Sequence, residues 1–150
     1  MWTGITAHGT CVLWHRKTEQ ELAELCGTDP DLGTSPEQMQ ETAKTLGMQV
    51  EIHDNSTFED MQTWLAKGVP VTVAWFTRGR VDYDESEVSD GHYSVVVGLD
   101  EECIYLQDPE IGHLRTFARD DFMRVWFDFR NETIDSWENI IIRQMIVTYK

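Results

Sequence analysis

A histidine and an aspartate at the two ends of one predicted hairpin carry the clearest chemical signal in the chain. His92 stands in Asp90-Gly91-His92-Tyr93, at the head of an apolar, β-rich run, and Asp108 follows in Gln107-Asp108-Pro109. Two antiparallel strands joined by a tight turn bring their outer ends side by side. A carboxylate next to an imidazole holds one ring tautomer and stabilises the protonated ring. That is the base-and-orienter half of a nucleophilic triad. The same residues also read more plainly, as an Asp-Pro turn beside a strand-edge histidine. Position in the sequence leaves both readings open.

The elements that must position this pair follow from periodicity and caps. Ala7, Cys11 and Trp14 fall at helical spacing, which allows part of a buried helix there, with Gly9 against it. Thr18-Glu19-Gln20-Glu21 is a capping-box pattern that opens a helix through Leu25, and Gly27 ends it. Thr34-Ser35-Pro36-Glu37 starts a second helix with the apolar face Met39, Ala43 and Leu46, closed by Gly47. Gln49 to His53 alternates as a strand. Ser56-Thr57-Phe58-Glu59 caps a third helix through Leu65, and 69–76 reads as a central strand with Pro70 near its start. Residues 77–91 are polar and acidic and read as a solvated loop. Three β-rich segments then run in hairpin order over 93–99, 103–106 and 114–117, with turns at Asp100-Glu101-Glu102 and 108–112. Asp120-Asp121 caps a last helix carrying Phe122, Val125 and Trp126, and 140–149 is the final strand. Helices first and antiparallel strands afterwards predict an α+β fold, with N-terminal helices packed on a mostly antiparallel sheet.

Bulk properties narrow the partners. The chain has 150 residues and a formal net charge of −15. It is long enough for one domain with a real core, and a single domain over 1–150 is expected. Such an acidic surface excludes nucleic acid and anionic membranes as partners, because phosphate binding needs clustered Lys and Arg. No apolar run approaches the roughly 20 residues that span a bilayer, and no signal peptide is visible, so a cytoplasmic location is the default expectation. Three cysteines, Cys11, Cys26 and Cys103, at irregular spacing suggest neither a disulfide framework nor a zinc site. The acidic run from Asp82 to Asp90 offers oxygen ligands for a hard cation but lacks the Gly-punctuated spacing of an EF-hand, and reads first as a solvated loop.

Several stretches together resemble the papain-like cysteine peptidases of the bacteriocin-processing (double-glycine leader) type, particularly their stand-alone relatives. They are Glu19-Gln20-Glu21-Leu22-Ala23-Glu24-Leu25, Gly33-Thr34-Ser35-Pro36-Glu37 and Leu65-Ala66-Lys67-Gly68-Val69-Pro70-Val71. Further along come Gly91-His92-Tyr93-Ser94-Val95-Val96-Val97-Gly98-Leu99-Asp100, Ile104-Tyr105-Leu106-Gln107-Asp108-Pro109 and 122–129, in the family's order and spacing. The resemblance implies a papain-like peptidase fold, a peptide or protein substrate (such as a leader cut after small residues) and no cofactor or metal. It also implies that His92 is the general base, that Asp108 orients it, and that Trp126, Phe127 and Phe129 belong to a C-terminal helix as core.

The third partner departs from the pattern. In this family the nucleophile is a Cys in a Cys-Gly-Pro-Ala-type motif at the head of a long central helix, where the helix N-terminus favours the thiolate. A Gln upstream completes the oxyanion hole. No Cys-Gly-Pro occurs here. Counting back about four helical turns from Thr18 reaches Thr3-Gly4-Ile5-Thr6-Ala7, with Thr at the Cys position and no Gln before it. The motif is therefore expected to be truncated or degenerate. Cys11 is the candidate nucleophile that remains, although too few residues separate it from Thr18 for a central helix, and it reads first as a buried mid-helix hydrophobe. Cys26 sits at a helix end whose dipole disfavours a thiolate, and Cys103 lies across the turn from His92. His8 and His15 flank the doubtful helix. Two functions follow as expectations: a cysteine peptidase using Cys11, His92 and Asp108, or a catalytically inactive peptide-binding relative. An incomplete central helix would also expose apolar surface and favour self-association.

Overall fold

The computed structural model describes residues 17–29, 33–77, 91–109, 111–130 and 137–150. Cys11, His8, His15, the helix expected around them and the acidic run from Asp82 to Asp90 lie outside these residues.

The first three described helices are α1 (Glu19–Cys26), α2 (Pro36–Thr45) and α3 (Phe58–Ala66). Each opens on a reciprocal capping box. Thr18, Ser35 and Thr57 accept from the backbone N–H of Glu21, Gln38 and Asp60, and those three side chains accept from the cap residue's own N–H in return. Two orphan donors are satisfied at each start, so the helix boundaries are fixed locally. Gly27 ends α1 in the left-handed conformation that a residue without Cβ adopts at no cost.

The strands are β1 (Gln49–His53), β2 (Val71–Phe76), β3 (Gly91–Leu99), β4 (Cys103–Asp108), β5 (His113–Ala118), β6 (Phe127–Phe129), β7 (Ile140–Ile142) and β8 (Met145–Tyr149). Six form one sheet in the order β1-β8-β2-β3-β4-β5, and every neighbouring pair in it is antiparallel. The fold is therefore α+β, as the element order predicts. Val71, Val73 and Trp75 of β2 stand on one face of this sheet with Val96, Ile104, Leu106 and Phe117, all buried. Met61 of α3, Phe122 of α4 (Arg119–Val125) and Trp126 close over them. The site residues emerge from one end of this apolar face.

Four local expectations are corrected. First, β2 begins at Val71 rather than at residue 69, after Pro70. Second, Asp120 and Asp121 do not cap α4. Ala118 is its N-cap, with no side-chain bond, and the two acids occupy the first turn, where they suit the helix dipole. Third, the last helix stops at Val125. Phe127 to Phe129 form β6, paired antiparallel with β7, and the ring of Phe127 stacks on Phe76 at 4.9 Å. Fourth, 140–149 is two strands in two sheets. Arg143, at φ +50°, bends the chain between them. The bend is held from afar: Arg143 N–H donates to the Trp126 carbonyl, and the Trp126 indole N–H donates to the Gln144 carbonyl.

Among the described residues, no helix is long and apolar enough to cross a membrane.

Candidate active site

His92 lies inside β3, and Asp108 is the last residue of β4. Both strands are longer at the site end than the sequence suggests, which builds the pair into the sheet rather than leaving Asp108 in the turn. Val95 faces Gln107 in the β3–β4 register. Alternation then puts His92, Ser94 and Asp108 on one face. The His92 Nε2 lies 2.8 Å from Asp108 Oδ1, with the side chains 2% and 0% exposed. The second carboxylate oxygen, Oδ2, accepts from the Arg115 Nε–H at 2.9 Å, and that side chain is 10% exposed. A buried carboxylate needs such compensation, since an unpaired buried charge is strongly unfavourable. With both oxygens of an ionised carboxylate acting as acceptors, the ring donates from Nε2.

Trp75 stands beside His92, directly opposite it on β2. Its ring meets His92 edge-on at 5.2 Å and Phe117 at 5.5 Å, and its indole N–H donates to the buried Ser94 hydroxyl at 3.0 Å. The imidazole is thus flanked along the sheet on both sides, by the Asp108 carboxylate on β4 and by Trp75, its cross-strand partner on β2. One residue before His92, the backbone comes so close to the Asp128 carboxylate that a Cβ at Gly91 would lie 2.4 Å from Asp128 Oδ1. Only glycine permits that approach.

Tyr93, on the opposite face, shows what this crowding does to a titratable group. Burial pushes its hydroxyl far above the ordinary tyrosine range, and the negative charges of Asp128 and Glu37 push it further. The folded state then keeps a proton that the unfolded chain gives up above about pH 10. Stability is unaffected below that pH and falls as pH rises, by about 1.4 kcal/mol per pH unit for one such group. Denaturant unfolding of Tyr93→Phe should therefore show a shallower alkaline loss of stability than the parent. Parallel curves above about pH 10 would refute the account.

Of the expected site residues, the structure brings together His92 and Asp108 and leaves Cys11 outside its described part. The other two cysteines stand apart. Cys26 is buried in the last turn of α1, and burial pushes its thiol up, partly offset by a hydrogen bond with Thr42. Cys103 begins β4, five strand steps from Asp108, or about 17 Å. Arg115 is the residue that sequence reasoning missed. Its signal was available: in a strand whose alternation points Phe117 inward, Arg115 points inward too.

A sequence model of the family described as "Peptidase_C39 like" matches residues 7–134. No curated protein matches the sequence. Among solved structures, the peptidase domain of Streptococcus ComA, a bi-functional ABC transporter involved in a quorum sensing pathway, aligns with TM-score 0.67 and 17% identity, covering 99% of this chain and 90% of that one. A Bacillus anthracis protein assigned as a C39-like peptidase aligns with TM-score 0.64 and 15% identity over 99% of this chain and 88% of its own. The peptidase domain of Streptococcus mutans ComA gives 0.55 and 18%, over 87% and 86%. These structural likenesses establish a shared fold, and the family match spans most of the sequence. The chain belongs to the Peptidase_C39-like family.

Proposed function

We propose that this chain is a cysteine peptidase that cleaves peptides with Cys11 as nucleophile, His92 as general base and Asp108 as the residue that orients His92. The observation that carries the reading is the buried bond from His92 Nε2 to Asp108 Oδ1. It commits one ring nitrogen to orientation, so proton exchange with a thiol falls to Nδ1. In the first step the thiol proton passes to Nδ1, and sulfur bonds to the peptide carbonyl carbon. Collapse breaks the C–N bond, and the leaving amine takes the proton from Nδ1. Water then attacks the thioester, giving its proton to Nδ1, and the proton returns to the sulfur as the acid departs. A single domain over 1–150 and a cytoplasmic location belong to the same proposal.

A second reading is a peptide-binding relative that does not turn over. The sequence observation that favours it is the missing Cys-Gly-Pro motif. Incubation with a mixed peptide library, read by mass spectrometry, separates the two. Cleavage that disappears in Cys11→Ser and in His92→Ala is the expected result. Cleavage that survives Cys11→Ser would refute the assigned nucleophile. Binding by calorimetry without cleavage would favour the second reading. The possibility of self-association is checked by solution mass, and a strictly monomeric chain would remove it.

A further inference from the structure

We propose that Arg115 is the positioning residue of this site: its guanidinium fixes the Asp108 carboxylate so that His92 is held as a single tautomer, protonated at Nε2. The inference rests on reading His92 as the base, and it assigns a role to a residue outside the expected Cys–His–Asp set.

The geometry is an unbroken chain across three strands. His92 on β3 donates to Oδ1 at 2.8 Å, and Arg115 on β5 donates to Oδ2 at 2.9 Å. In the β4–β5 register Arg115 faces Leu106, one diagonal step from Asp108, which itself faces His113. The guanidinium therefore approaches along the sheet and closes the side of the carboxylate that His92 does not use. Rotating the carboxylate to serve one donor better would break the other bond, and burial denies a water replacement. Arginine suits this better than lysine because its charge is always present and its donors are rigidly set. The Arg115 Cζ also lies 6.0 Å from the Trp75 ring centroid, so one aromatic is shared by base and positioning residue.

The test is the 15N spectrum of the His92 imidazole in the full chain, at a pH where the ring is neutral. In the parent, the Nε2–H tautomer should exceed the Nδ1–H tautomer at least roughly tenfold, because only that form donates to Asp108. In Arg115→Gln the preference should fall to about threefold or less, and Arg115→Lys should recover part of it. A folded Arg115→Gln chain with the parent's spectrum would overturn the proposal. So would a parent ring protonated at Nδ1, which requires no variant to fold. If Arg115→Gln does not fold, Arg115→Lys decides: a reduced tautomer preference supports the proposal, and an unchanged one overturns it. The spectrum needs no reactive thiol, so the two readings fail separately. Inert Cys11 with an Arg115-dependent tautomer would sink the peptidase reading alone. His92-dependent Cys11 chemistry with an Arg115-independent tautomer would sink this one alone.

Discussion

Asp108→Ala is expected to destabilise the protein by about 3–5 kcal/mol, one of the two largest effects of a single substitution at the site. The reason is what the substitution leaves behind. Asp108 is fully buried, and its two oxygens satisfy His92 and Arg115. Without the carboxylate, a guanidinium that is 10% exposed loses this partner and remains charged. Total stabilities of small domains are only about 5–15 kcal/mol, so a change of this size removes much of the folded population. Asp108→Asn should be milder for stability, at about 1–3 kcal/mol, yet severe for chemistry. Its carbonyl oxygen can serve His92 or Arg115 but not both. If the oxygen faces Arg115, the amide NH2 faces the ring and forces the Nε2 position to accept, which is the wrong tautomer. Turnover should fall by about 10²–10⁴-fold if the proposed mechanism holds. Denaturant unfolding and peptide cleavage check the two halves independently. A loss of stability below about 1 kcal/mol in Asp108→Ala would show that the ion-paired network is not under the constraint that its burial implies.

The second large effect is at Trp75, the cross-strand neighbour of His92. Trp75→Ala should cost about 3–5 kcal/mol, as expected for emptying a large aromatic site in a close-packed core. Trp75 is fully buried and in ring contact with His92, Phe117 and Phe122. The substitution opens a cavity beside the imidazole and removes the donor to the fully buried Ser94 hydroxyl. Trp75→Phe keeps most of the ring packing but loses that bond, so about 1–2 kcal/mol is expected. Urea unfolding measures both. Equal losses in the two variants would mean that the indole N–H, rather than the packing, carries the effect.

The contrast between these two residues shows where the sequence was informative. Trp75 and its neighbours form a dense apolar run, and such a run reads as a buried strand whatever lies around it. His92 and Asp108 were legible as a pair because a hairpin brings its ends together by backbone geometry alone. Capping boxes are likewise local, and Thr18, Ser35 and Thr57 all sit within a residue of where their motifs put the helix starts. The two larger misreadings are cases in which a distant contact decided. Nothing local after Val125 stops a helix, yet 127–129 turn to a strand because β7 is there to pair with them. The break at Arg143 has no Gly or Pro to announce it, and depends on bonds to Trp126 and to the chain at Asn55 and Ser56. Arg115 was overlooked because its partner lies on another strand, although an inward-pointing arginine in a strand always asks for one.

The central claim is that His92 and Asp108 serve one thiol, Cys11. Its most direct measurement is iodoacetamide labelling at neutral pH, with the modified cysteine mapped by mass spectrometry. Thiolate is the reactive form, and an activated cysteine labels faster than an ordinary one. The account predicts Cys11 labelling that is fast in the folded parent, slower in Asp108→Asn and slowest in His92→Ala, with Cys26 protected by burial throughout. Cys11 labelling no faster in the folded parent than in the denatured chain, and indifferent to His92, would contradict it.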